Sequence, residues 1–365
     1  MARRFTYLEN DKSLGNSGEH TVDITIQDPI TQIWVEMRCN NGASWNHANP
    51  MHLNIDALEI IDGSTVLWSL DGAEMLGMVS QILGYMPYQR VCEIPNDPQS
   101  LALPILFGNF LGDVERSFDP RRFVNPQLRV KWNLANVNAV GATGFADSGL
   151  TMTAIAEVME GAPAPTRMLS AKEVYTYTAA AGTEYIELPR DYPYKGLMIR
   201  PVATTSHWHG VISNLKLNVD GSKWVPFDIG GEDLQYLLFQ RTPMLHYRHL
   251  FHCKSGDTIY PILKEVENLM AINEESYDMT HSYINYEYGQ QSIYMYNAGT
   301  ATTSYFNMGA MVTGYFPFHC VYIPFGDPNK PEEWFQAQQF GSVRLELTGL
   351  LARSVYVCLL QDRIM

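Results

Sequence analysis

Two stretches constrain this chain more than any other feature: "IIDGSTVLWSLDGAEML" at residues 60–76 and "NVDGSKWVPFDIGGEDL" at 218–234. Asp62, Gly63 and Ser64 recur as Asp220, Gly221 and Ser222, an offset of 158 positions. The same offset relates Gly72 to Gly230, Glu74 to Glu232 and Leu76 to Leu234. A shared Asp-Gly turn alone is weak, because any hairpin can use one. Matches at a constant offset that span strand, turn, strand and helix start describe one building block used twice.

The order around each block repeats too. Before it stand a strand and an Asp/Pro turn, "ITIQDP" (24–29) and "IELPRDYP" (186–193). After it come "LALPILFG" (101–108) and "VYIPFG" (321–326), then a strand with an internal arginine, "QLRVKW" and "SVRLEL". Alternation with period two runs through "TVDITI" (21–26), "TQIWVEMR" (31–38), "HLNIDALEI" (52–60), "QLRVKWNL" (127–134) and "LTMTAIAEVM" (150–159). It restarts in "EYIELP" (184–189), "GLMIRPV" (196–202) and "VISNLKLNV" (211–219), and later in "RSVYVCLL" (353–360). Such runs are half-buried strands, and with frequent turns they predict sandwiches or barrels. One segment has helical spacing, 72–86, where Met75, Leu76, Val79, Leu83 and Met86 recur and Asp71 is placed to cap the N-terminus.

These patterns divide the chain into an N-terminal arm over 1–20, a first module over 21–160, a linker over 161–170 around "EGAPAPTR", and a second module over 171–365. Gly63 lies 66 positions before Arg129, but Gly221 lies 123 before Arg344, so the second copy carries 57 extra residues at about 250–315. There Tyr283, Tyr286, Tyr288, Tyr294, Tyr296 and Tyr305 are interleaved with small polar residues. An insertion of this length needs structure of its own, a hairpin or small sheet, and its tyrosines suit subunit contact or a local core.

Composition narrows the function. With 365 residues, 46% of them hydrophobic, the chain can bury a large core; only 18% are charged, below the roughly 25% of ordinary soluble domains, which points to surface covered by other chains. A net charge of −14 argues against a large nucleic-acid face, since binding phosphates takes clustered Lys and Arg. Only Arg3-Arg4 offers a basic terminus for a genome or an anionic membrane. Cys39, Cys92, Cys253, Cys320 and Cys358 are scattered singly and read as buried thiols of a chain made in a reducing cytoplasm; "MARRFTYLENDKSLG" has no apolar core of signal-peptide length.

Signals for catalysis are poor. Nucleophile elbows, phosphate loops, dinucleotide fingerprints and zinc-protease motifs are all missing. The acid pairs Glu232-Asp233, Glu274-Glu275 and Glu332-Glu333 point adjacent side chains apart, and the first opens a helix, where acids favour the dipole. The sharpest chemical cluster is "MLHYRHLFHC", with His246, His249, His252 and Cys253; on a helix His246 and His249 would share a face. Spacing by three and three matches no structural zinc signature. His207 and His209 fall on one side of a strand or turn. The reading therefore assigns no catalytic, cofactor-binding or metal-binding residue and no cofactor.

The stretch "YIPFGDPNKPEEWFQAQQFGSVRLEL" (322–347), with its weaker counterpart "LPILFGNFLGDVERSFDPRRFVNPQLRVKW" (103–132), resembles the double jelly-roll major capsid proteins of tailless icosahedral viruses, the lineage of adenovirus hexon and the coats of membrane-containing bacteriophages. The resemblance implies an all-β fold of two tandem eight-stranded jelly rolls, each with a short helix after its fifth strand. It further implies a homotrimer forming pseudo-hexagonal capsomers, the 250–315 insertion as an outer tower, and residues 1–20 inside. Implied partners are neighbouring capsomers, penton, minor capsid or membrane proteins, and an internal membrane reached through the N-terminal arm; the implied location is the virion. The competing reading is a secreted two-jelly-roll protein of peptide-N-glycosidase type that binds or cleaves glycans.

Overall fold

A computed structural model describes residues 2–47, 49–141, 143–202, 207–254, 259–261, 267–271, 281–285, 292–296 and 305–365, with side chains described outside 246–313. The first module contains β1 (Ala2–Leu14), β2 (Ser17–Asp23), β3 (Ile30–Asn40), β4 (Ile55–Asp62), β5 (Thr65–Leu70), α1 (Gly72–Leu83), β6 (Gln89–Cys92), β7 (Pro98–Leu106), β8 (Pro126–Asn133) and β9 (Leu150–Glu160). The second contains β10 (Arg167–Thr178), β11 (Gly182–Glu187), β12 (Tyr194–Pro201), α2 (Trp208–Val211), β13 (Ile212–Val219), β14 (Trp224–Gly230), α3 (Gly231–Phe239) and β15 (Leu245–Lys254). The short strands β16 (Ile259–Pro261), β17 (Glu267–Ala271), β18 (His281–Asn285) and β19 (Ser292–Tyr296) precede β20 (Tyr305–Tyr315), β21 (Val321–Pro324), β22 (Val343–Gly349) and β23 (Ser354–Ile364).

Strand order repeats between the modules. In the first, β1-β9-β3-β7 faces β2-β8-β4-β5; in the second, β10-β23-β12-β21 faces β11-β22-β13-β14. Each set is two four-stranded sheets with the strand order of a jelly roll, and α1 and α3 each follow the fifth strand. The chain is thus a double jelly roll. Alternation does the sorting: Leu128, Val130 and Trp132 of β8 and Leu345 and Leu347 of β22 point into their sandwiches, with half-exposed residues between them.

The two modules share a direction. The one bridge between β5 and β10 is parallel, Lys172 beside Ser69, and it merges the second sheet of the first module with the first sheet of the second. The loops at 15–16, 41–54 and 134–149 therefore lie at the same end as 179–181 and 350–353, and both DGS turns lie at the opposite end. β15 runs parallel to β6, with His249 beside Val91 and Leu250 beside Cys92, and pairs antiparallel with β20. Its last residues and their β20 partners therefore project past the end that carries the 41–54 and 134–149 loops.

Three sequence expectations change. The arm expected over 1–20 is strand: β1 pairs with β9 from Ala2 to Leu14, and β2 begins at Ser17. Arg4 is tied to Glu160 and Asp28, and Arg3 to Glu157, so neither arginine belongs to a frayed tail. The expected linker over 161–170 is shorter, because Arg167 already pairs with Ile364 in β10. The helix expected over 72–86 ends at Leu83, where Gly84 adopts φ 76° and closes it.

Candidate assembly surfaces and the joint between modules

The repeated DGS motif has the same job twice. Gly63 (φ 58°) and Gly221 (φ 65°) turn the hairpins β4–β5 and β13–β14. Asp62 Oδ1 then accepts the backbone N–H groups of Val124 (3.1 Å) and Asn125 (2.7 Å), just before β8. Asp220 Oδ1 accepts those of Gly341 (2.6 Å) and Ser342 (2.9 Å), just before β22. Each aspartate clamps a hairpin to the start of a strand far along the chain. It is a structural clip.

The joint between the modules contains buried charge. Asp362 on β23 accepts two hydrogen bonds from Arg116 (3.1 and 3.3 Å) and one from Arg167 (2.8 Å), with Arg116 and Asp362 both buried. Arg116 and Lys195 lie over the Trp334 ring at 5.2 and 5.4 Å, and Lys195 donates to Asn109 at 2.6 Å. Burial, then the neighbouring Arg116, pulls the Lys195 ammonium down to about 8. A second cluster sits at the N-terminus of α1, where Asp71 and Glu74 form a capping box and Arg200 of β12 reaches across to Asp71 at 2.7 Å. Gly77 of α1 lies so close to Cys320 of the second module that a Cβ there would collide with it.

Apolar groups are exposed at several places among the described residues, including two surfaces on regular elements of the sandwiches. On the outer face of the first sheet, Phe5 (72% exposed) and Tyr7 (61%) of β1 line a hollow of about 280 Å³ with Ile155 and Trp34. Polar rows border this belt, Arg3, Glu157 and Gln32 on one side and Thr153 and Glu36 on the other. The second surface is α3, where Tyr236 (58%) and Leu237 (47%) face solvent.

The residues singled out in the sequence are dispersed. His246, His249, His252 and Cys253 fall on strand β15, so the shared helix face does not exist; their side chains lie outside the described residues, as do those of the insertion tyrosines. His207 and His209 do share a side, their rings stacked at 5.3 Å around α2, and His209 meets Gln235. Among the described residues no group of three or more His, Cys, Asp or Glu could hold a metal ion. Glu232 and Asp233 open α3, and Glu232 accepts from Tyr236. Glu333 is bound to Lys330, while Glu274 and Glu275 lie outside the described residues. Cys39, Cys92, Cys320 and Cys358 are buried and unpaired, and burial pushes the Cys39 thiol up to about 12. Among the described residues no helix is long and apolar enough to cross a membrane. What sequence reasoning missed was the charge at the joint: Arg116, Asp362 and Arg200 carry no local pattern.

No family model matches the chain, and no curated protein does. Solved structures do, along the whole chain. The major capsid protein P2 from bacteriophage PM2 is 10% identical, with a TM-score of 0.57 over 100% of this chain and 98% of that one. The PBCV-1 virus capsid is 11% identical, TM-score 0.60, over 100% and 94%. The STIV major capsid protein is 10% identical, TM-score 0.54, over 100% and 97%. At such identities the likeness is one of fold.

Proposed function

We propose that this chain is the major capsid protein of an icosahedral virion and that three copies form a pseudo-hexagonal capsomer. The observation that carries this reading is the unequal fate of two equivalent helices. α1 is buried in the joint, packed against the Pro317–His319 turn of the second module. α3 occupies the same place in the second module, yet Tyr236 and Leu237 stand open. A further copy of the chain, offering its first module to α3, would continue the side-by-side packing that the chain already makes internally. The parallel setting of the modules puts the 41–54 and 134–149 loops and the β15–β20 projection at one end and both DGS turns at the other, the polarity a shell needs between outside and inside. Large structural neighbours that are themselves capsid proteins support the same role.

On this reading the protein is a structural component of the virion with no catalytic task, and its partners are copies of itself and whatever fills the shell's vertices. Light scattering tests it. A stable species at three times 41.3 kDa is expected, with hexagonal outlines by electron microscopy. A monomer that binds or cleaves glycans would contradict it.

A further inference from the structure

We infer that the joint between the two jelly rolls is locked by a proton on Glu74 and loosens when alkaline solution removes it. This rests on the chain alone and stands whether or not the assembly reading holds.

Glu74 is fully buried at the third position of α1. Its Oε2 accepts the backbone N–H of Asp71 at 3.0 Å. Its Oε1 is buried with no N–H or O–H partner among the described residues; only the thiol of Cys358, a weak donor, reaches the carboxyl. A carboxylate oxygen left bare in this way is costly, whereas a neutral carboxyl tolerates it far better. The surroundings favour the same state. Among the described residues the one cation facing the site, Arg200, is already engaged by Asp71, and Glu173 adds a third carboxyl nearby. The remaining groups are Cys358 and Cys320 from the second module, Tyr356 stacked under Arg200, His52 from the Met51–Asn54 turn and His319 from the Pro317–His319 turn. Burial holds both thiols protonated and His52 neutral, so none of these three balances a new anion. The α1 N-terminus favours negative charge, but Asp71 already occupies it. Burial, then Asp71, pushes the Glu74 carboxyl up to about 8.

The consequence is mechanical because the cluster spans the joint: Asp71 and Glu74 belong to the first module, Arg200, Glu173, Cys320 and Cys358 to the second. Opening the joint exposes Glu74, which then ionises near its ordinary value of 4.5. Each pH unit below about 8 therefore favours the open joint about tenfold as the solution becomes more alkaline.

Infrared titration of the purified protein tests this, with Glu74→Gln as the difference partner, since glutamine can keep the capping box. A carboxylic-acid band is expected at pH 7, fading around pH 8, absent from E74Q and retained in E173Q. Amide exchange of α1 is expected to accelerate about tenfold per pH unit from 6.5 to 8 beyond the intrinsic rate, in wild type and not in E74Q. A wild-type spectrum without such a band at pH 7 would overturn the inference and needs no variant to read. So would a band that E74Q retains, or α1 exchange with the same pH profile in both proteins.

Discussion

The two jelly rolls share a strand order and a clip but differ at the helix after the fifth strand. In the first module the helix has twelve residues, a capping box, and a second module pressed against it. In the second it has nine residues, Gly230 at its cap without a side-chain hydrogen bond, and open aromatic and aliphatic side chains. The elements that define the module stayed alike, and the helices after the fifth strand diverged. A helix covered within the chain can hold a buried acid, while one whose outer face is open must remain presentable to water.

The largest effect should come from breaking the open side. Leu237→Asp places a charge where a neighbouring copy would pack, so self-association should weaken by about 4 kcal/mol, read by sedimentation, with monomer stability nearly unchanged. Breaking the closed side comes next. Arg116→Ala leaves the buried Asp362 with Arg167 alone and should cost about 3 kcal/mol in denaturant unfolding, with the single transition splitting as the modules uncouple.

The pH dependence sharpens the contrast. Folded Glu74 holds its proton up to about 8 while the unfolded chain releases it near 4.5, so its stabilising contribution is complete below 4.5 and is lost as pH rises toward 8. His52 acts in the opposite sense below 6.5, being held neutral down to about 3, and Lys195 opposes it above about 8. Between pH 6.5 and 8 Glu74 stands clear of both, and wild type should lose about 2 kcal/mol more than E74Q across that window.

Two smaller tests address likeness rather than difference. Asp62→Ala and Asp220→Ala each remove two backbone hydrogen bonds to a carboxylate and should cost similar amounts, about 1–2 kcal/mol by urea titration. Unequal costs would show that the clips are not equivalent. Gly230→Ser gives α3 the side-chain cap it lacks and should stabilise by about 0.3 kcal/mol in thermal unfolding.

Much of this was legible from residues. The constant offset between Asp62 and Asp220 predicted the repeat, and Leu128, Val130 and Trp132 announced a strand by alternation. β1 was not legible, because an edge strand exposes both Phe5 and the polar residues around it, which blurs period two. β10 was hidden for a related reason: its first residues follow the Pro/Ala run and its later ones, from Glu173 to Thr178, are mostly exposed. The clip partners of Asp62 lie more than sixty positions away, and Arg200 meets Asp71 only through the topology. His246 and His249 misled because three-residue spacing signals a shared face only on a helix, and the β20 ladder made their segment a strand.

Amide hydrogen exchange across α1 and α3, compared between dilute and assembled protein, tests the central contrast most directly. α1 should be protected in both states, and α3 should be protected only in the assembled one. An α3 that exchanges as freely after assembly as before would contradict the account.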